Sequence, residues 1–178
     1  MALGATMRRF TIALADADRG VYEALDWRVA QHPSENERYL TARVIARALE
    51  HAEGVDFTRG LSTTDEPAIW QKDLTGVLQT WIEIGVPTTD RLHRAQKACK
   101  RVAVYGWKQL DELAEAAREI HRAEELEVYT FDPTFLDALA ATLDRTNTWD
   151  LSVTGGTIYV TVGAATFEGA ATRIPVGE

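Results

Sequence analysis

The middle of the sequence alternates strand-like and helix-like segments, and this order constrains the fold more than any other feature. Residues 101–105 and 126–130 are short, largely apolar segments of strand type. Apolar residues at helical spacing predict helices at 110–120 and at 135–143, the second capped by Asp132-Pro133. Since a strand, a helix and a second strand in this order pair in parallel through a right-handed crossover, the region predicts an α/β fold.

Hairpins are predicted on both sides of this region. Residues 9–14 and 21–29 flank a polar turn, which predicts an antiparallel pair. Toward the other end, Gly155-Gly156 joins residues 149–154 to 157–162, as in a hairpin with a primed turn, and a last strand is expected to end near Pro175. The expected fold is a mixed sheet flanked by helices, in a single domain spanning residues 1–178.

A helix is also predicted after the first hairpin. Ser34, followed three residues later by Glu37, forms a capping-box pattern, and apolar residues at helical spacing continue to about His51. Gly54 is expected to close this helix.

The net charge and the cysteine content indicate which binding partners and which cellular compartment to expect. Cys99 is the single cysteine, so no internal disulfide can form, and no apolar run approaches the roughly 18 residues of a membrane span. A cytoplasmic protein without a membrane partner is therefore expected. The net charge of −8 opposes broad attraction to nucleic acid, so any contact with nucleic acid must be local. The oligomeric state and any protein partner stay open.

Acidic residues recur on both arms of a third predicted hairpin, at residues 65–87. If Leu74-Thr75 form a two-residue loop, Glu66 faces Glu83, and a three-residue loop places Asp65 there instead. Two carboxylates about 5 Å apart repel by roughly 3 kcal/mol at an effective dielectric constant near 20. A shared proton, an arginine or a divalent cation would offset this repulsion, and one or two carboxylates are what magnesium usually takes from a protein.

Glu83 is the acid on which this site most depends. Trp81, Ile82 and Ile84 surround it, so its strand is predicted to be buried. An ionised side chain persists there only if it is paired or bound to metal. The two interpretations are an ion pair with a nearby arginine and a magnesium site formed by Glu83 with Asp65 or Glu66.

Distinctive short motifs occur over most of the chain. They are Asp16-x-Asp18-Arg19, His32-Pro33-Ser34-Glu35 with Arg38, Phe57-Thr58-Arg59-Gly60-Leu61-Ser62, Asp65-Glu66-Pro67 with Trp70, and Trp81-Ile82-Glu83-Ile84-Gly85-x-Pro87. Together these segments resemble the motifs of the YaeQ family. The resemblance implies a variant of the PD-(D/E)xK, or restriction-endonuclease-like, nuclease fold. Active members of that superfamily hold magnesium between carboxylates on neighbouring strands.

Two positions depart from the nuclease pattern that this resemblance implies. Ala68 follows Pro67 where the superfamily has an aspartate, so the first metal ligand would be Asp65 or Glu66. Gly85 stands where a lysine is expected two residues after Glu83. In such nucleases this lysine polarises the attacking water or neutralises the phosphate, so cleavage here would need a substitute.

A basic segment directly downstream is the candidate substitute. Residues 91–101 follow a threonine cap at 88–89, and on a helix Arg94, Lys97 and Arg101 would cluster within about 60°. Arg94 is the candidate phosphate contact, and Lys97 is the candidate for the role of the missing lysine. The alternative is an ordinary solvated helix face.

Other charged residues of the motifs complete the candidate site. A glutamate on the first helix of nuclease-like folds often points into the metal site, and Glu35 has the matching place in the chain, although the helix dipole alone favours an acid there. Arg38, Arg59 and Arg91 are further candidate phosphate contacts. Arg59 could equally neutralise one of the acids at residues 65–66.

Two functions fit this site. The first is a magnesium- or manganese-dependent phosphodiesterase acting on nucleic acid. Its candidate catalytic residues are Glu83, Glu66, Asp65, Glu35 and Lys97. The second is a nuclease-like domain that has lost catalysis and serves as a binding or regulatory module.

Overall fold

The computed structural model describes residues 4–59 and 65–177, which form two compact units. One unit takes the described residues of Met1–Leu49 with Asp132–Ala171, and the other those of Glu50–Phe131 with Thr172–Glu178. The strands in chain order are β1 (Thr6–Asp16), β2 (Val21–Gln31), β3 (Val55–Phe57), β4 (Ile69–Lys72), β5 (Leu78–Ile84), β6 (Arg101–Gly106), β7 (Glu127–Phe131), β8 (Thr146–Thr154), β9 (Thr157–Val162) and β10 (Ala165–Ile174). The helices are α1 (Glu37–Leu49), α2 (Thr89–Ala98), α3 (Leu110–Ala116) and α4 (Pro133–Ala140), with 3₁₀ turns at Ala117–Glu119 and Ala123–Glu125.

The first unit is built on a mixed sheet in the order β2-β1-β8-β9-β10. β1 is antiparallel to β2 and parallel to β8, and β9 is antiparallel to both β8 and β10. α1 packs against α4. Phe10 and Trp149 are both almost fully buried and meet edge to face, with ring centroids 5.1 Å apart. The predicted hairpins at both ends of the chain are therefore confirmed.

The second unit contains the predicted α/β region. Its strands lie in the order β7-β6-β5-β4-β3, with β5, β6 and β7 parallel and β4 antiparallel to both of its neighbours. The helices α2 and α3 cover one face, where Leu92, Val102, Val104, Leu126 and Val128 are fully buried. Among the described residues, no helix combines the length and the apolar character that crossing a bilayer requires.

The start of α1 differs from the prediction. The cap is Asn36, whose Oδ1 accepts the Tyr39 N–H at 2.8 Å. Ser34 instead directs its main-chain N–H to Nδ1 of His32 at 3.1 Å, and its hydroxyl lies 2.7 Å from the same nitrogen. The capping box at Ser34 and Glu37 was therefore wrong, because a local turn with the imidazole competes for the serine.

The register of the β4–β5 hairpin also differs from both predicted registers. Ile69 pairs with Ile82 and Trp70 with Trp81, so the next position along, opposite Glu83, belongs to Ala68. The loop is longer than expected, because Asp73 Oδ1 accepts the N–H groups of Thr75 and Val77, each at 2.9 Å. The placement of Glu66 or Asp65 opposite Glu83 was therefore wrong, and the like-charge pairing does not arise.

Candidate functional site

Glu83 lies near the end of β5 with its side chain 9% exposed, and two donors hold its carboxylate. Oε1 accepts a hydrogen bond from Trp81 Nε1 at 2.7 Å and forms an ion pair with Arg91 Nε. Trp81 and Glu83 are two residues apart on one strand, so both side chains project from the same face. The predicted burial of Glu83 is confirmed, and in this structure an arginine provides the opposite charge.

Arg91 lies in the first turn of α2 and has several contacts besides the ion pair with Glu83. The turn begins at Thr88, one of the two predicted caps, because its side chain accepts the Arg91 N–H at 3.2 Å. The guanidinium also donates to the main-chain oxygen of Glu66 at 2.5 Å and lies 5.4 Å from the centre of the Trp81 ring. These contacts fix the guanidinium at the junction of β5 and α2.

A small cavity opens beside this arginine. Its volume is about 140 Å³. It is lined by Asp65, Trp81, Arg91, Arg94, Ala95 and Ala98. Arg94 is exposed and makes no ion pair within the described part of the chain. The residues that line the cavity therefore include two arginines, one aspartate and one tryptophan, a combination that suits an anionic ligand with a flat or apolar portion.

Glu66 is occupied by Arg59. The Arg59 main-chain N–H and Nη2 donate to the two carboxylate oxygens at 3.1 and 3.0 Å. The hydrogen bond from the Arg59 side chain lowers the pKa of Glu66, so the carboxylate stays ionised. This is the neutralising role that the sequence left open for Arg59. The Gly60-Leu61-Ser62 part of its motif lies outside the described residues.

The comparisons with known proteins identify the family. The model of the family described as YaeQ protein matches residues 1–170. The chain belongs to the YaeQ family. It is 30% identical to "Uncharacterized protein YaeQ" of Salmonella typhi and to the protein of the same name from Escherichia coli K12, over 90% of each chain.

Solved YaeQ structures share the fold. The YaeQ protein from Xanthomonas axonopodis pv. citri is 28% identical, with a TM-score of 0.85 over 97% of this chain and 99% of that one. The YaeQ protein from Pseudomonas syringae is 32% identical, with a TM-score of 0.88 over 96% of each chain. The resemblance noted in the sequence motifs is therefore confirmed at the level of the family.

Two candidate residues of this YaeQ family member lie in the first unit, in ion pairs of their own. The Glu35 carboxylate is 2% exposed and takes two hydrogen bonds of 2.9 Å from Arg43. Arg38 holds both oxygens of Asp137 at 2.6 Å, and this contact lowers the pKa of Asp137. Arg38 lies in the first turn of α1 and Arg43 near its middle, so both pairs link α1 to neighbouring segments of the first unit.

The predicted basic face beyond Arg94 is interrupted. α2 ends at Ala98, so Arg101 starts β6 instead of continuing a helix. Lys97 is exposed on α2 and does not line the cavity beside Arg91. The proposed clustering of Arg94, Lys97 and Arg101 was therefore wrong, because a strand begins where the helical spacing was extended.

A second charged network lies on β6 and β7 of this family member, and the sequence did not predict it. Arg101 bridges Glu50, at 2.6 and 2.9 Å, and Glu127, at 2.5 and 3.1 Å. The hydroxyl of Tyr105 donates to Glu50 at 2.5 Å, and that of Tyr129 donates to Glu127 at 2.6 Å. The available signal was a charged residue followed by a tyrosine on the same face of each strand, Arg101 and Tyr105 on β6 and Glu127 and Tyr129 on β7.

Two of the three predicted magnesium ligands are paired with arginines in the structure. Within residues 4–59 and 65–177, no group of three or more His, Cys, Asp or Glu side chains could hold a metal ion. Arg91 already neutralises Glu83, and Arg59 neutralises Glu66. Asp65, which lines the cavity beside Arg91, is the one predicted ligand left without such a pairing among the described residues.

Proposed function

We propose that the chain is a binding module that takes a phosphate-bearing ligand, with a nucleic-acid backbone as its partner, at the cavity beside Arg91. The single observation that carries this proposal is that Arg91 is fixed by Glu83 next to Arg94, which forms no ion pair with the residues that the structure describes. A guanidinium held in place loses little conformational freedom when it binds phosphate, and its N–H groups suit a bidentate contact. The fold of this module is a variant of the restriction-endonuclease-like core.

Binding without cleavage agrees with the chemistry of the surrounding residues. Glu83 is satisfied by two donors, and Gly85 brings no base to the position where the nuclease pattern has lysine. The cations at the cavity are arginines, which do not accept a proton at neutral pH. They can hold a phosphate, but they cannot activate a water molecule.

A metal-dependent phosphodiesterase is the second candidate, and the position of Asp65 favours it. Asp65 lines the same cavity as Arg91, whose partner is Glu83. If Arg91 moved from Glu83 to a bound phosphate, the two carboxylates would become available to one magnesium or manganese ion. Neither Glu35, which pairs with Arg43, nor Lys97, which is outside the cavity lining, supports this candidate.

The binding proposal is tested with labelled oligonucleotides. We expect fluorescence anisotropy to show binding of a single-stranded or duplex oligonucleotide, and we expect Arg94→Ala to weaken it about tenfold, the loss of one charge-assisted contact. Arg145→Ala is the matched control, because Arg145 is also exposed and without an ion pair in the described chain. Equal affinities of the two variants would reject the site.

Metal titration separates the two candidates. For a phosphodiesterase, magnesium or manganese should raise the melting temperature and support hydrolysis of the oligonucleotide, and Asp65→Asn should abolish both effects. For a binding module, neither ion should stabilise the protein while the oligonucleotide still binds. Asp65 is the better position for this substitution, because it is exposed and its loss leaves the Glu83–Arg91 pair intact.

A further inference from the structure

The outer edge of β2 is long and regular. β2 ends the strand order of its sheet and pairs with β1 over 11 residues, from Thr6↔Gln31 to Asp16↔Val21, without interruption of the register. Its sequence contains neither proline nor lysine. Proteins usually protect an outer strand with such residues or with a bulge, because its free N–H and C=O groups can pair with another strand.

The hydrogen bonds of β1 show which groups of β2 face outward. The Arg9 N–H donates to the Arg145 oxygen at 2.9 Å, so the main chain of Arg9 is directed away from β2. In an antiparallel ladder the residue directly opposite, Arg28, is then also directed away from its partner strand. Alternation extends this direction to Ala24, Asp26 and Ala30, and the Ala30 oxygen accepts a bond from Arg43.

Two of these residues, Asp26 and Arg28, carry opposite charges on the exposed face of the sheet. Asp26 is half exposed and pairs with Arg9 at 2.9 and 2.6 Å. Arg28 lies directly opposite Arg9 in the register, and two like charges in that position repel. Within the described residues Arg28 makes no ion pair. The edge thus presents Arg28, which attracts Asp26 from two positions away but forms no contact ion pair among the described residues, beside an acid that Arg9 already holds.

We propose that two copies of the chain pair through β2 in a two-fold symmetric dimer, with Trp27 on the symmetry axis. In this register Asp26 of each copy faces Arg28 of the other, and Ala24 faces Ala30. A symmetry axis at Asp26 or at Arg28 would oppose like charges, so the charges select the register centred on Trp27.

The outward main-chain groups fit the same register. Asp26 and Arg28 both direct their N–H and C=O groups to the open edge, so each Asp26–Arg28 pair between copies can exchange two main-chain hydrogen bonds. Arg28 of the second copy would also meet an acid that already contacts Arg9, which places one carboxylate between two guanidinium groups. Main-chain bonds would then hold the dimer, and the charges would exclude other registers.

Sedimentation velocity over a roughly hundredfold range of protein concentration tests the proposal, since a dimer must form by mass action. The wild-type chain should reach twice the mass of one chain. Asp26→Arg and Arg28→Asp should each weaken self-association about tenfold or more, because each opposes like charges twice in a homodimer. Asp150→Arg, on the exposed face of β8, is the matched control and should dimerise as the wild type does.

Mixing the two variants gives the decisive measurement. Two cations on one chain would face two anions on the other, so an equimolar mixture of Asp26→Arg and Arg28→Asp should recover dimers that neither variant forms alone. The double variant, with both substitutions in one chain, should also dimerise. A monomeric wild type, unchanged dimerisation of the single variants, or a mixture that stays monomeric would each overturn the proposal.

Discussion

At the scale of single residues, Glu83 illustrates how an acid in an apolar strand is stabilised. An ionised carboxylate in such a strand requires a partner, and the structure provides two, the indole N–H of Trp81 and the guanidinium of Arg91. The sequence left two partners open, a nearby arginine or a magnesium ion shared with Asp65 or Glu66. The structure has the arginine: it is Arg91, eight residues further along the chain, which the sequence indicated only as a candidate phosphate contact.

Glu83→Gln tests how much the ion pair between Glu83 and Arg91 contributes to the stability of the fold. The substitution preserves the shape of the side chain but leaves the guanidinium of Arg91 without its counter-charge. We expect the free energy of unfolding to fall by about 3 kcal/mol, the low end for breaking a buried pair, because Arg91 keeps a 24% exposed side chain. Urea denaturation measures the change.

The control for that experiment is Glu115→Gln on α3. Glu115 pairs with Arg118 but is 66% exposed, so its loss should change the free energy of unfolding by less than about 0.5 kcal/mol. If Glu83→Gln were no more destabilising than this control, the ion pair would not contribute to the stability of the fold.

At the scale of elements, short-range signals located most helices and strands. Asp132 caps α4 by accepting the Thr134 N–H at 2.8 Å, and Gly155 and Gly156 both adopt the positive φ that a primed turn requires. The errors arose where two local signals competed. Asn36 displaced Ser34 as the cap of α1, and Asp73 stabilised a longer loop than the predicted two-residue or three-residue turn.

The pairing of β6 with β7 gives a pH-dependent prediction. Burial is the main cause that raises the pKa of both Tyr105 and Tyr129, and their bonds to Glu50 and Glu127 act in the same direction. The folded state therefore holds these phenolic protons more tightly than the unfolded chain does. Their contribution to stability is complete below about pH 10 and is lost as the pH rises through the raised values.

Alkaline titration followed by tyrosinate absorbance measures this effect. Of the five tyrosines, we expect Tyr105 and Tyr129 to ionise in a late step that coincides with unfolding. Tyr105→Phe should reduce the amplitude of that step by one tyrosine, whereas Tyr22→Phe, at an exposed position of β2, should leave it unchanged. A late step of unchanged amplitude in Tyr105→Phe would contradict the assignment.

At the scale of the whole molecule, the net charge of −8 limits how nucleic acid could bind. The proposed site offers Arg94 and Arg91, and Glu83 partly neutralises the second. Few counterions should therefore be released on binding. We expect the logarithm of the affinity for a single strand to fall against the logarithm of salt concentration with a slope of about −1 to −2.

Anisotropy measured across potassium chloride concentrations determines that slope. Arg94→Ala should make it shallower by about 0.7, the contribution of one phosphate contact to a single strand. The Arg145→Ala control should keep the wild-type slope. A slope of about −5 or steeper would indicate a broad basic surface and would contradict a local site.

The sequence by itself determined the local elements, the α/β order of the middle region, the terminal hairpins and the family. These features depend on side chains within a few residues of one another, such as Thr88 and Arg91 at the start of α2. The tertiary structure decided which charges meet. The partners of Glu83, Glu35 and Arg101 depend on the hairpin register, on where α2 ends and on how helices pack on strands, and these distances are set by contacts between segments that no local pattern encodes.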